Sequence, residues 1–244
     1  MLIAGFLTLS LTETAGVTPA LIDEPLASYY TRALNSEPSE PQKSLAMLKN
    51  LLMPDGVTVS ISFDGVPEEN KDEFKQGIEN GMAMWRTQLG SDLPFRMAKS
   101  REEADIKVAF VSKVPGAGTS CKGEIRSKRQ IQWNDKVHYF AFTAEVDIAK
   151  FASVNRLMTE NEVTHVFAHE LGHALGLGDF TGAGYIMGPI QVGAPTTRFA
   201  DSEVEAVREF RRMLRSQIDR ITAKLSKGAE TPNRPKVVSF DFAR

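Results

Sequence analysis

The run HELGHALGLGD (residues 169–179), inside the longer stretch TENEVTHVFAHELGHALGLGDFTGAGYIMGP (159–189), decides how this 244-residue chain is read. Thr159 and Glu162 have the spacing of a capping box, which predicts a helix from Thr159 to about Leu175. On such a helix His169 and His173 differ in direction by only about 40°, so both imidazoles leave one face and can reach one ion. Neutral imidazole suits Zn²⁺ at about 2.0–2.1 Å. Glu170 points about 100° from His169 and about 60° from His173. It falls outside the same coordination shell but can reach a water held by the ion, take its proton and later pass it to a leaving amine. Gly176 stands where the helix must break through a left-handed residue. Asp179, three residues on, is placed to swing back as a third ligand.

Working outward, residues 57–63 (VTVSISF) alternate strictly and predict a half-buried strand. A helix follows over 68–89, its apolar stripe formed by Phe74, Ile78, Met82, Trp85 and Leu89, with Gly90 as the stop. Strands are expected over 104–111, 129–133 and 138–149. A last helix starts near Asp201 or Ser202, where Ser202 and Glu205 have capping-box spacing, and runs to about Leu225. Residues 55–227 therefore read as one catalytic-type domain. Residues 21–54 carry polar, Pro-bearing stretches and one amphipathic piece, Ser44–Leu52. They read as a linker or short pro-segment, and residues 228–244 as a polar tail.

Composition narrows the function. Basic residues number 29 against 31 acidic, a net charge of −2, so there is no global positive field to hold nucleic acid or an anionic membrane. The single cysteine, Cys121, excludes an internal disulfide framework and a cysteine-only zinc site. Residues 2–11 (LIAGFLTLSL) are too short to span a membrane. They have the length of a signal-peptide core, although no Lys or Arg precedes Leu2. A signal peptide over 1–20 and an extracytoplasmic location are the expectation.

HExxHxxGxxD followed by Met187-Gly188-Pro189 resembles the metzincin clan of zinc endopeptidases, within it the matrixin-like group. The resemblance extends over the order of elements from about Val57 to Leu225. It implies an α+β fold with a twisted, mostly parallel sheet, one antiparallel edge strand, a zinc-binding helix, a Met-turn and a C-terminal helix. It implies His169, His173 and Asp179 as ligands of one catalytic zinc ion, Glu170 as general base, and Met187 as the floor beneath the metal. His165 and Tyr185 are candidates for the substrate pocket. Three features depart from the common pattern. Asp179 stands where most of the clan has His. Only His138 lies upstream of residue 165, too few histidines for a second, structural zinc. Cys121 falls inside the catalytic region, so no propeptide cysteine switch exists. The sequence is silent on calcium.

These residues make a zinc endopeptidase acting on peptide or protein substrates the leading expectation, as a monomer. Its rivals are a zinc-binding but catalytically idle interaction module and a zinc amidase acting on a polymer such as peptidoglycan. Lys122, Arg126, Lys128 and Arg129 read as a charged sheet edge that deters strand pairing. The segment Arg129–Trp133 is expected to be the open edge on which a substrate strand adds. His138 reads as a surface residue of its strand and Cys121 as an inert thiol.

Overall fold

The computed structural model describes residues 21–115, 121–182, 184–226 and 236–243. The leader expected over 1–20 lies outside the described residues. In chain order the elements are α1 (Glu24–Ser36), α2 (Pro41–Leu52), β1 (Val57–Ser62), α3 (Lys71–Leu89), β2 (Phe95–Met97) and β3 (Ile106–Val111). Then come β4 (Gly123–Trp133), β5 (His138–Ala149), the short β6 (Phe151–Ser153) and β7 (Arg156–Leu157), α4 (Glu160–Leu175), α5 (Asp201–Leu225) and β8 (Lys236–Ala243).

The main sheet has the order β2-β1-β3-β5-β4-β8. β2, β1, β3 and β5 are parallel, and β4 runs antiparallel to β5. Burial alternates along β3, and alternates again along β4 from Lys128 onward. This period-two pattern gives the sheet one apolar face, onto which the helices pack. Ile106, Val108, Ile131, Val146 and Ile148 are fully buried there. No helix among the described residues is long and apolar enough to cross a membrane.

Three expectations change. Residues 21–54 form two helices whose inner faces join the same core as the sheet, not a linker with one helix. The signal in α1 is Leu26, Tyr29, Tyr30 and Ala33, a helical apolar stripe behind a Pro at the helix start. Residues 236–243, expected as polar tail, form β8, which pairs with β4 from Arg126↔Ala243 to Trp133↔Lys236. The segment Arg129–Trp133 is consequently hydrogen-bonded on both sides and is not an open edge. β8 pairs because Val238, Phe240 and Phe242 alternate, and their side chains pack against the core. Phe240 meets Tyr29 edge-on, with ring centroids 4.7 Å apart.

The basic run on β4 also divides differently. Lys128 is exposed, but Arg129 is 1% exposed, because the strand alternation turns it onto the helical face. Its guanidinium donates to Asn50 O (2.6 Å), Asn50 Oδ1 (3.1 Å) and Ala174 O (2.9 Å). Asn50 and Ala174 belong to the last turns of α2 and α4, where carbonyls lack intrahelical partners and the helix dipole is negative. One buried cation thus satisfies two helix ends and ties them to the sheet. Asn50 Nδ2 extends the tie by donating to Gln130 O and Ala141 O, both at 3.0 Å. Burial lowers the Arg129 pKa to about 10, so it stays charged at neutral pH. A second buried arginine, Arg211 of α5, donates to Leu52 O and Asp92 O.

Arg129→Leu leaves three buried acceptors without donors. It is expected to lower stability by about 2–4 kcal/mol, seen as a lower urea midpoint with an unchanged slope.

Candidate metal centre and active-site cleft

α4 starts as its capping box requires. Thr159 N–H donates to Glu162 Oε2 at 2.9 Å, and Glu162 N–H donates to Thr159 Oγ1 at 3.4 Å. The packing of α3 then sets the helix's depth. Trp85 Nε1 donates to Ala168 O at 2.8 Å, and Glu73 Oε1 accepts from Glu160 N–H at 3.0 Å.

At the other end Gly176 has φ 109°, in the left-handed region where a side chain is strained, and the chain reverses there. The reversed segment is pinned by residues 21–23. Asp23 N–H donates to Gly176 O (2.7 Å), Gly178 N–H donates to Leu21 O (3.1 Å), and Ile22 bridges Leu177.

This framework brings His169, His173 and Asp179 together. The two Nε2 atoms are 3.1 Å apart, and each lies 3.3 Å from Asp179 Oδ1. His169 Nδ1 lies 2.8 Å from Ile186 O, and His173 Nδ1 lies 2.8 Å from Leu177 O. A carbonyl can only accept, so both Nδ1 atoms carry hydrogen and both Nε2 lone pairs point at the carboxylate. Three acceptors converging in this way repel one another unless they share a cation. Three corners of a tetrahedron with metal bonds of about 2.0–2.1 Å stand about 3.3 Å apart, so the spacing fits zinc. The carbonyls behind the rings fix tautomer and orientation. Rings protonated at Nε2 as well, with no metal to bind, would donate to Asp179 and hold its carboxyl well below the usual carboxylate range. Burial disfavours the charged form of His169, but Asp179, Glu170 and the Ile186 carbonyl together outweigh it and raise that pKa.

Met187 is fully buried beneath the turn that carries both histidines. A Cβ at Gly172 would fall 2.2 Å from its sulfur, so only glycine lets the thioether approach. Met187 N–H donates to Glu203 Oε1 and Ala200 N–H to Glu203 Oε2, each at 2.7 Å. The capping carboxylate of α5 is therefore Glu203 rather than Glu205, and it also holds the Met turn. Glu203 sits three residues after Ala200, the spacing that could have revealed it.

Glu170 lies beside the cluster under β4, close enough that a Cβ at Gly123 would fall 2.3 Å from its Oε1. It is 3% exposed, and burial raises its pKa to about 7 against the opposing pull of His169 and His173. Its Oε2 has no hydrogen-bond partner among the described residues. A cavity of about 320 Å³ opens next to it, lined by Cys121–Gly123, His165, His169, Glu170 and Gly188–Ile190. His165 lines this cavity, with Nδ1 2.8 Å from Thr196 O. Tyr185 does not line it: its ring stacks on Phe180 at 5.1 Å. The half-buried Cys121 thiol donates to Gly123 O, and burial pushes its pKa up. His138 sits with Nδ1 3.1 Å from Gln42 Oε1. Burial chiefly, and Lys49 in addition, lower its pKa to about 4.

The Matrixin family model matches residues 53–210. The chain belongs to the matrixin family. Membership makes it a zinc-dependent metallopeptidase in class, and among its described residues the one cluster able to hold a metal ion is His169, His173 and Asp179. A search of the curated proteins returned no match. In this matrixin the matched span begins at Met53, yet α1, α2 and β8 outside it complete the core around the cleft.

Glu162 ties the chain just beyond the cavity-lining Gly188–Ile190 to the start of α4. Its fully buried carboxylate accepts from Arg156 Nη1 and Nη2 (2.9 and 2.7 Å), from Thr159 N–H and from Gly193 N–H (2.8 Å). Burial raises its pKa, but these donors outweigh burial and bring it to about 2. A depressed folded-state pKa contributes stability above the unfolded value, lost as pH falls through the folded one. Acid unfolding between about pH 4.5 and 2 should therefore carry a Glu162 component, absent in Glu162→Gln. That variant should lose about 2–3 kcal/mol at neutral pH, measured by urea unfolding at a series of pH values.

Proposed function

We propose that this matrixin hydrolyses peptide bonds with one zinc ion held by His169, His173 and Asp179. The observation that carries the proposal is the convergence of these three acceptors beside the unpartnered, buried Oε2 of Glu170. Zinc at such a site polarises the scissile carbonyl and acidifies a water molecule.

The chain's own residues do the rest. Glu170 takes the water's proton at its carboxylate and returns a proton to the leaving amine. Burial suits it to this work, because a base poised near neutral pH can both accept and release the proton. The carbonyls of Ile186 and Leu177 keep the imidazoles oriented. The cavity beside Glu170 receives the side chain that follows the scissile bond, and the outer edge of β4 at Gly123–Ile125, which β8 leaves unpaired, takes the substrate backbone. An intact, buried Glu170 with a partnerless oxygen argues against an idle metal-binding module.

Glu170→Gln should keep fold and zinc but lower kcat by about 10²–10⁴-fold, because the carboxylate is not a ligand. Metal content by elemental analysis and turnover of a mixed peptide pool check this; full activity in a zinc-loaded variant refutes the role. Asp179→Ala should weaken zinc binding, measured by competition with a chelator. Asp179→His should retain the metal, imidazole being an equally competent ligand. Zinc binding of parental strength in Asp179→Ala would exclude Asp179 as a ligand.

A further inference from the structure

β8 lies along the side of β4 that a substrate strand would use, and it covers Arg126 to Trp133. Three positions of β4 remain uncovered, Gly123, Glu124 and Ile125, and these lie nearest Glu170. We infer that β8 is a built-in stop on the substrate cleft, confining hydrolysis to bonds near the N-terminus of a peptide. The inference rests on the peptidase reading above and names its substrate class.

The argument is one of direction. An extended peptide added to β4 gains the more stable ladder when antiparallel, the orientation β8 itself adopts. Such a peptide runs the same way as β8, since both oppose β4. Its N-terminal residues point toward Ala243 and its C-terminal residues toward the cavity at Cys121 and Pro189. Beyond the third uncovered position the N-terminal end meets β8. On that side a smaller cavity, about 240 Å³, lies between His173 and Ile125 and is walled by Leu26, Phe242 and Ala243. It gives room for a short N-terminal stub. The opposite side carries no such strand among the described residues.

β8 is anchored too firmly to act as a passing occupant. Phe240 packs edge-on against Tyr29, and Arg32 lies over its ring at 5.1 Å. Lys236 Nζ bonds Glu40 at 2.7 Å. A substrate needing Arg126–Trp133 must break this pairing first.

The test uses the full, zinc-loaded chain and a pool of mixed-sequence peptides longer than β4, with cut positions mapped by mass spectrometry. Cuts should concentrate after the first three residues or earlier. For a peptide that is cut, adding residues ahead of its N-terminus should lower kcat/KM at the same bond by at least about tenfold, or about 1.4 kcal/mol. Adding residues at its C-terminus should not. Cuts spread evenly along the peptides, or a penalty on C-terminal extension instead, would overturn the inference while leaving the peptidase reading intact. No cleavage of any peptide by zinc-loaded protein would overturn both. A chain shortened before Lys236, if it folds by circular dichroism, should cut at interior positions; an unchanged map there would also overturn the inference. Should it not fold, the map of the full chain decides alone.

Discussion

Three lone pairs aimed at one point repel, and much of this fold exists to hold them there. The His169 and His173 rings cannot turn away, because each Nδ1–H is bound to a carbonyl. Those carbonyls sit on segments after the helix, so their positions must themselves be fixed. Leu177 is bridged by Ile22, and Ile186 precedes Met187, whose N–H is held by the buried Glu203 of α5. The distance of each support from the metal site grows, but each link is a directional hydrogen bond or a close steric fit. Preorganisation of this kind leaves little reorganisation for the moment when an ion and its water arrive.

Behind this lies a frame of buried cations. Arg129 and Arg211 are buried with no carboxylate of the described residues within bonding distance, which for an isolated charge would be costly. Carbonyls at the ends of α2 and α4, and of the turn at Asp92, take the place of counter-ions. Backbone dipoles do this well because they are already aligned by the helices. The arrangement joins α2, α4, α5 and the sheet at the side where α4 ends, so the helix end and the loop carrying Asp179 are fixed by one set of groups.

The sequence displayed the chemistry more openly than the architecture around it. HELGHALGLGD carries its geometry in its spacing: four residues for one helical face, a glycine where the turn must go left-handed, and a carboxylate just beyond. Thr159 and Glu162 marked the helix start correctly, since a cap is a local interaction. Arg129 was misread because a lysine- and arginine-rich run suggests solvent, whereas period two in a strand sends alternate members inward. β8 was missed since its pattern, Val238, Phe240 and Phe242, is short and follows a polar stretch. What makes it a strand is Tyr29 and the edge of β4, both remote in sequence. The linker reading of 21–54 failed for a related reason, as polar and proline-bearing stretches outweighed the stripe in α1. Tyr185, a candidate for the substrate pocket, is turned elsewhere by stacking on Phe180.

The meeting of Tyr29 with Phe240 has a consequence for how the molecule comes into being. These rings lie more than two hundred residues apart in sequence, and β8 pairs with a strand over a hundred residues upstream. Closing such long loops is entropically expensive and slows folding. A ribosome-bound chain that has not yet released residues 236–243 leaves the outer edge of β4 unpaired and Tyr29 uncovered. That exposed edge is a template for association with another chain. Synthesis of β8 therefore covers Tyr29 and removes an adhesive edge in one step.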